Sequence, residues 1–212
     1  MKEKLNDLRV NYDKFELIEE FLPYSPFELF KLWFDDTKDS SIMEPNAMTL
    51  GTTDEEGNPK LRIVLLKEFS NDGFVFFTNY ISDKAKQLSQ NKNAALLFFW
   101  NELHRQVRIE GEVEKLSREE SIEYFNSRPY ESRLGAIVSK QSSVLSSRQD
   151  LINKFNEAKD KYPDEPPCPD NWGGYVLKPT YFEFWQGRES RLHDRIVFEK
   201  NINDWKIKRL YP

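Results

Sequence analysis

KLRIVLLKEFSNDGFVFFTNY, residues 60–80, sets two short runs of β-branched and aromatic residues on either side of an Asn-Asp-Gly turn signal. The runs predict two strands and the turn predicts their reversal. Working outward, AMTLGTT (47–53) precedes them across DEEGN, and AALLFFW (94–100), RQVRIEGEVEKL (105–116), GYVLKPTYFEFW (174–185), RIVFEK (195–200) and WKIKRLY (205–211) follow. About eight such runs predict a mostly antiparallel sheet, closed or nearly closed into a barrel because closure removes exposed edges.

Helices break the pattern. SPFELFKLWFDD (25–36) offers Ser25 as N-cap, Pro26 at the first helical position and Glu28 to complete a capping box. Its Phe27, Phe30, Trp33 and Phe34 share a stripe and read as core. SDKAKQLSQN (82–91) starts at Ser82, SREESIEYFNSRP (117–129) carries a Ser117/Glu120 box, and SSRQDLINKFNEAKDKY (146–162) is amphipathic. The class is α+β. Residues 1–20 are polar and charged and read as a flexible arm, leaving 21–212 as a single domain.

Composition limits the function. A net charge of -5 argues against general nucleic-acid binding, and no apolar run approaches a membrane span or a signal peptide, which points to the cytoplasm. The one cysteine, Cys168, has neither a second thiol nor a nearby histidine, so neither an intramolecular disulfide nor a metal site is expected. Neither usual glycine-rich nucleotide loop occurs.

The polar residues suggest anions instead. Arg62 and Lys67 end an apolar strand and by alternation face opposite sides, either as rim charges in water or toward separate partners. Thr78 closes the next strand, just before the Ser82 helix start, where free N–H groups suit phosphate and where Lys84 sits against the helix dipole. Tyr124, Arg128 and Ser132 lie at spacings of four, a phenol, a guanidinium and a hydroxyl suited to a phosphate, although Pro129 interrupts the run. Gln141 and Ser142 could donate to a ligand or cap the next helix. In GRESRLHDR (187–195), an extended chain would turn Arg191, His193 and Arg195 to one face, either a solvated edge or an anion site. No nucleophile triad competes with these groups, so the reactive part would come from a cofactor.

RIVLLK (62–67), FFTNYxSxKA (76–85), RQV (105–107), YFNSRPxxSxxGAxVSKQSS (124–143), WGGY (172–175), EFWQGxxxRLHDR (183–195) and WKIKRLYP (205–212) together resemble the pyridoxine (pyridoxamine) 5′-phosphate oxidase family over nearly the whole chain. The resemblance implies an antiparallel FMN-binding split β-barrel with surrounding helices, working as a homodimer. It implies FMN contacts at Arg62, Ile63, Val64, Leu65, Leu66, Lys67, Phe77, Thr78, Lys84, Gln106, Gln141, Ser142, Trp185 and Arg195. It implies that pyridoxamine or pyridoxine 5′-phosphate meets Lys67, Tyr124, Arg128 and Ser132 through its phosphate, and Arg191, Leu192 and His193 through its ring. Arg191 and His193 would be the catalytic residues, O2 the acceptor, and Arg9 and Tyr12 an arm closing over the site. Asp83, Phe77 and Val10 depart from the family's usual basic residue, Tyr, and basic or polar residue. A different flavin reductase on the same barrel, or a carrier of pyridoxal 5′-phosphate, are the competing expectations.

Overall fold

The computed structural model describes residues 17–202 and 204–212, so Arg9, Val10 and Tyr12 lie outside the described residues. Among the described residues the strands are β1 (Ala47–Thr53), β2 (Pro59–Leu65), β3 (Glu68–Ser70), β4 (Gly73–Asn79), β5 (Asn93–Trp100), β6 (Arg105–Lys115), β7 (Trp172–Gln186), β8 (Asp194–Lys200) and β9 (Trp205–Arg209). Hydrogen-bonded neighbours follow the order β2-β1-β5-β6-β7-β4-β3, with β8 on β7 and β9 on β8. The pairs β3–β4, β4–β7, β7–β8 and β8–β9 are antiparallel. KLRIVLLKEF, read as one strand, is two, because the chain leaves β2 at Leu65 and re-enters the sheet as β3.

The helices are α1 (Pro26–Lys38), α2 (Asp83–Gln90), α3 (Arg118–Ser127), α4 (Tyr130–Val138) and α5 (Arg148–Lys161). Ser25 precedes α1 but its side chain makes no cap bond, so the expected box is absent there. The second box does form: the Glu120 N–H donates to Ser117 Oγ at 3.1 Å and the Ser117 N–H to Glu120 Oε2 at 2.9 Å. The sequence did not separate α4. Pro129 ends one helix and serves as N-cap of the next, its fixed φ suiting the entry.

The backbone groups into two compact units. One comprises residues 17–48, 96–110 and 179–212, less residue 203; the other comprises 49–95 and 111–178. In the first, α1 lays its aromatic stripe on the strands: Phe27 meets Phe182 at 5.2 Å, Phe30 meets Phe98 at 5.1 Å and Trp33 meets Phe184 at 5.3 Å, all steeply inclined as ring quadrupoles prefer. Phe30, Phe98, Phe182, Phe184 and Phe198 are wholly buried, each worth about 1.5–3 kcal/mol of transfer free energy. In the second unit, Phe76 stacks on Tyr175, its register partner across β4–β7, and Phe125 of α3 meets Trp172 at 5.1 Å. The β3–β4 turn closes at Gly73, whose φ of +137° and 2.2 Å spacing between an added Cβ and the Leu177 carbonyl oxygen require glycine.

Candidate functional site

In the second unit a cleft of about 680 Å³ is lined by the end of β2, the end of β4, Lys84 of α2, the α3–α4 segment and Trp172. Ile63, Val64 and Leu65 line it from β2, and Lys67 reaches it from just beyond that strand. Lys67, Phe77 and Tyr124 also line a second cleft of about 540 Å³. Arg62 goes elsewhere. Its guanidinium donates to the Leu50 carbonyl at 3.0 Å, Thr52 Oγ1 at 2.6 Å and Gln87 Oε1 at 2.9 Å, tying β2 to β1 and α2. Leu66 turns into the core at 4% exposure.

Thr78, Lys84 and Gln141 meet on one wall. Lys84 Nζ donates to Gln141 Oε1 at 2.8 Å and Thr78 Oγ1 at 3.2 Å, while the Thr78 hydroxyl donates to the same Gln141 oxygen at 2.9 Å. Behind them α2 begins at Ser82, whose hydroxyl oxygen accepts from the Ala85 N–H. Burial and the Arg62 charge lower the Lys84 pKa against the opposing Asp83 charge, so an anion at this wall would stabilise the ammonium. Asp83 stands beside it, exposed, with its carboxylate 3.6 Å from Lys86. Ser142 takes a left-handed φ of 69° outside the residues lining the cleft.

Tyr124, Arg128 and Ser132 line the same cleft, but not as one helical face. The helix stops at Ser127, Arg128 is extended, and Ser132 belongs to α4. Two helices and the Pro129 bend bring the three together. Among the described residues Arg128 Nη1 is buried without a hydrogen-bond partner, and burial lowers the group's pKa. The guanidinium lies 4.9 Å over the Trp172 ring. Phe77 stacks on Tyr124 at 3.9 Å and on Trp172 at 5.4 Å, so the cleft has an aromatic wall.

Trp172, Asn79 and Ser139 are lining residues that the residue-by-residue reading missed. The signal was the glycine pair after Trp172. A Cβ at Gly173 would stand 2.2 Å from Tyr80 Oη, and one at Gly174 2.6 Å from Leu116 Cδ1 and 2.8 Å from Phe77 Cε1. Only glycine lets β7 leave Trp172 so close to these neighbours.

The remaining expected residues belong to the other unit. Trp185 and Arg195 are register partners on β7 and β8, and Glu183, two residues earlier, shares their face. Arg195 Nε therefore reaches Glu183 Oε1 at 2.8 Å, and its Nη1 donates to the Tyr211 carbonyl at 3.0 Å. Glu183 is only 4% exposed and also accepts from Arg108 Nη2 at 2.8 Å and the Tyr181 hydroxyl at 3.3 Å. Burial raises the Glu183 pKa, but the Arg195 bond and the Arg108 charge outweigh it and hold the carboxyl below its ordinary 4.5. Gln106 is half-buried on β6.

The single extended face at Arg191, His193 and Arg195 does not form. Glu189–Arg191 is a 3-10 turn with φ of 55° at Ser190 and 62° at Arg191, and the strand begins only at Asp194. Arg191 and Leu192 are exposed on this turn. The Arg188 N–H donates to His193 Nδ1 at 3.0 Å, which leaves the neutral imidazole its proton on Nε2. The imidazole lies 4.6 Å from the Trp185 ring, and burial and the Arg191 charge lower its pKa, with Asp194 opposing.

The antiparallel sheet with its surrounding helices is an architecture that other solved structures share. A Burkholderia lata PhzG crystallised with tetrahydrophenazine-1-carboxylic acid aligns over 93% of this chain and 98% of its own, with TM-score 0.88 and 28% identity. A Nostoc punctiforme protein described as pyridoxamine 5′-phosphate oxidase-related and FMN-binding aligns over 90% and 100%, with TM-score 0.75 and 17% identity, a likeness of fold alone. The fold is the split barrel of this class.

The family models are more specific. Residues 34–162 match pyridoxamine 5′-phosphate oxidase and residues 172–212 match the pyridoxine 5′-phosphate oxidase C-terminal dimerisation region. Curated proteins named pyridoxine/pyridoxamine 5′-phosphate oxidase from Bordetella pertussis and Polynucleobacter asymbioticus are 53% and 50% identical, covering 98% and 99% of this chain and 99% and 100% of their own. The chain belongs to the pyridoxine/pyridoxamine 5′-phosphate oxidase family. Among the described residues, no helix is long and apolar enough to cross a membrane.

Proposed function

We infer that this chain is an FMN-dependent oxidase that converts pyridoxamine or pyridoxine 5′-phosphate to pyridoxal 5′-phosphate in vitamin B6 salvage, as a cytoplasmic homodimer. O2 is reduced to hydrogen peroxide, and the amine also consumes water and releases ammonia. The observation that carries the reading is Arg128: a guanidinium with a buried, partnerless Nη1, in a cleft that also presents Lys67, Tyr124 and Ser132. That donor set suits a dianionic phosphate monoester.

The Thr78–Lys84–Gln141 cluster fits the FMN phosphate, since Lys84 is half-buried and its pKa is lowered by burial and the Arg62 charge against the opposing Asp83. Bound FMN supplies a two-electron acceptor that O2 regenerates. Around it the chain's task is positioning. Ile63, Val64, Leu65 and Lys67 would flank the flavin, and the family resemblance adds Phe77, Gln106, Ser142, Trp185 and Arg195 as further contacts. Arg191 covers the open face of the substrate ring, Leu192 packs beside it, and the Nε2–H of neutral His193 holds its polar substituents.

The test is a spectrum of FMN-reconstituted protein without oxygen, before and after pyridoxine 5′-phosphate. Loss of the flavin absorption that returns in air is the expected result. A flavin that stays oxidised with both B6 phosphates, in the manner of a barrel enzyme built for another substrate, sinks the reading.

Neutral His193 is favoured because its folded pKa lies below 6.5. That form predominates at pH 6.5 and is lost as pH falls through the lower folded value, so the acid limb of kcat/KM should lie below the 6.5 of an ordinary imidazole. A pH–rate profile in which His193→Asn lacks this limb checks the assignment. At the FMN phosphate, Asp83→Asn should tighten FMN about 2- to 5-fold, the size of a surface charge at a helix start. Equilibrium dialysis reads it directly.

A further inference from the structure

A guanidinium is ordinarily oriented by what accepts its N–H bonds, most often a carboxylate. Arg128 has no such partner. Among the described residues no carboxylate lies within 4.0 Å of it, and Nη1 is buried with no acceptor. What does hold the group is aromatic: its carbon lies 4.9 Å from the Trp172 ring centre and 5.8 Å from that of Phe125. The backbone fixes only the root of the side chain: the Arg128 N–H donates to the Phe125 carbonyl at 3.2 Å, and Pro129 holds Arg128 extended at ψ of 149°.

Trp172 is itself fixed from several sides. It is 6% exposed. Its N–H donates to the Pro169 carbonyl at 3.1 Å, and its carbonyl accepts from Arg118 Nη1 at 3.1 Å. The same guanidinium of Arg118 clamps the Pro169 and Cys168 carbonyls at 3.0 and 2.6 Å, so the loop before Trp172 is bolted to α3. The indole plane is set by Phe77, 14° from parallel at 5.4 Å, and by Phe125 edge-on at 72°.

We propose that Trp172 is a positioning residue, a platform whose indole face presents the Arg128 fork to the substrate's phosphate, so that preference for phosphorylated over unphosphorylated ligand depends on this ring. The proposal rests on the reading of Arg128 as the phosphate residue. A carboxylate in place of the indole would orient the guanidinium equally well, but it would also neutralise it and compete for the donors that a phosphate needs. An aromatic face orients through its quadrupole and leaves the N–H groups free. Trp172 also lines the cleft, so a direct contact with ligand must be separated from action through Arg128.

The experiment measures binding, not turnover. FMN-loaded wild type, Trp172→Leu and Trp172→Phe, each with and without Arg128→Ala, are titrated with pyridoxal 5′-phosphate and with pyridoxal, and Kd is read by equilibrium dialysis. Trp172→Leu should weaken the phosphorylated ligand about 3- to 30-fold, the range of a cation–π contact, and shift pyridoxal less than about 2-fold. Trp172→Phe, which keeps a smaller π face, should lose only a few-fold. In the Arg128→Ala background neither change should matter further, because coupling through Arg128 is then gone.

Equal weakening of both ligands, or the same loss with Arg128 absent, overturns the proposal and makes Trp172 a direct contact or a fold residue. No effect of either variant, with wild type still preferring the phosphorylated ligand, overturns it while sparing the proposed function. A wild type without that preference removes the phosphate reading itself. If Trp172→Leu does not fold, as thermal unfolding would show, Trp172→Phe carries the same cycle with the smaller shift.

Discussion

Arg128→Ala should lower kcat/KM for pyridoxine 5′-phosphate by about 10²- to 10⁴-fold while leaving FMN content unchanged. Two charge-assisted hydrogen bonds to phosphate oxygens at about 1.5–3 kcal/mol each give this range, with 1.4 kcal/mol per factor of ten. The protein should lose little stability. Among the described residues the buried Nη1 makes no hydrogen bond whose loss would be felt, and relief of a desolvated charge offsets the lost contact with the Trp172 ring. Activity and thermal stability measured together therefore test the idea twice. Arg128→Lys should recover only part of the rate, because an ammonium is a point charge and cannot form the two-pronged contact. A variant that loses rate equally with phosphorylated and unphosphorylated substrates would refute the assignment.

Gly73→Ala is the largest expected loss of stability, about 2–6 kcal/mol in urea unfolding. At φ of +137° an L-residue is strained, and the new Cβ would stand 2.2 Å from the Leu177 carbonyl oxygen and 2.8 Å from Val176 Cγ2. Backbone strain contributes about 1–3 kcal/mol and overpacking about 1–3 more. Nothing soft can yield, since one neighbour is backbone of β7 itself. Gly57→Ala is the control: its φ is +81° but no atom lies within 4 Å of the added Cβ, so only the conformational cost of about 1–2 kcal/mol applies. Equal losses at the two positions would mean that the close approach at Gly73 is unimportant.

The sheet was legible because strand signals are local. Runs such as GFVFFTNY and AALLFFW carry their propensity, their apolar character and their bounding turns within ten residues, and the strands formed where those runs lie. The helix start at Ser82 and the box at Ser117 were equally local. What failed was conformation over longer reach. GRESRLHDR has charges at even spacing, yet left-handed residues at Ser190 and Arg191 fold it into a turn before β8 begins. Tyr124, Arg128 and Ser132 were grouped by a helical spacing that the chain does not keep, and they converge because the Pro129 bend replaces one helix by two. Arg62 shows the opposite failure: an arginine on a strand gives no sign that Leu50, Thr52 and Gln87 will claim its donors. Trp172 was visible only as part of a motif, since nothing in WGGY says which cation the indole will carry.

Arg195 is held from two directions: Glu183 takes its Nε, while Tyr211 takes its Nη1 and the Leu210 N–H donates to the Arg195 carbonyl. The last residues of the chain thus act as a guy-line for a side chain on β8. Register along that line is set by two backbone groups, one accepting and one donating, so the identity of the side chains at 210 and 211 matters less than the count of residues between them and β9. Substitutions there should leave both bonds in place, whereas a deletion or insertion of one residue would shift the anchoring carbonyl and swing the guanidinium with it. Length, more than composition, is what this segment has to preserve.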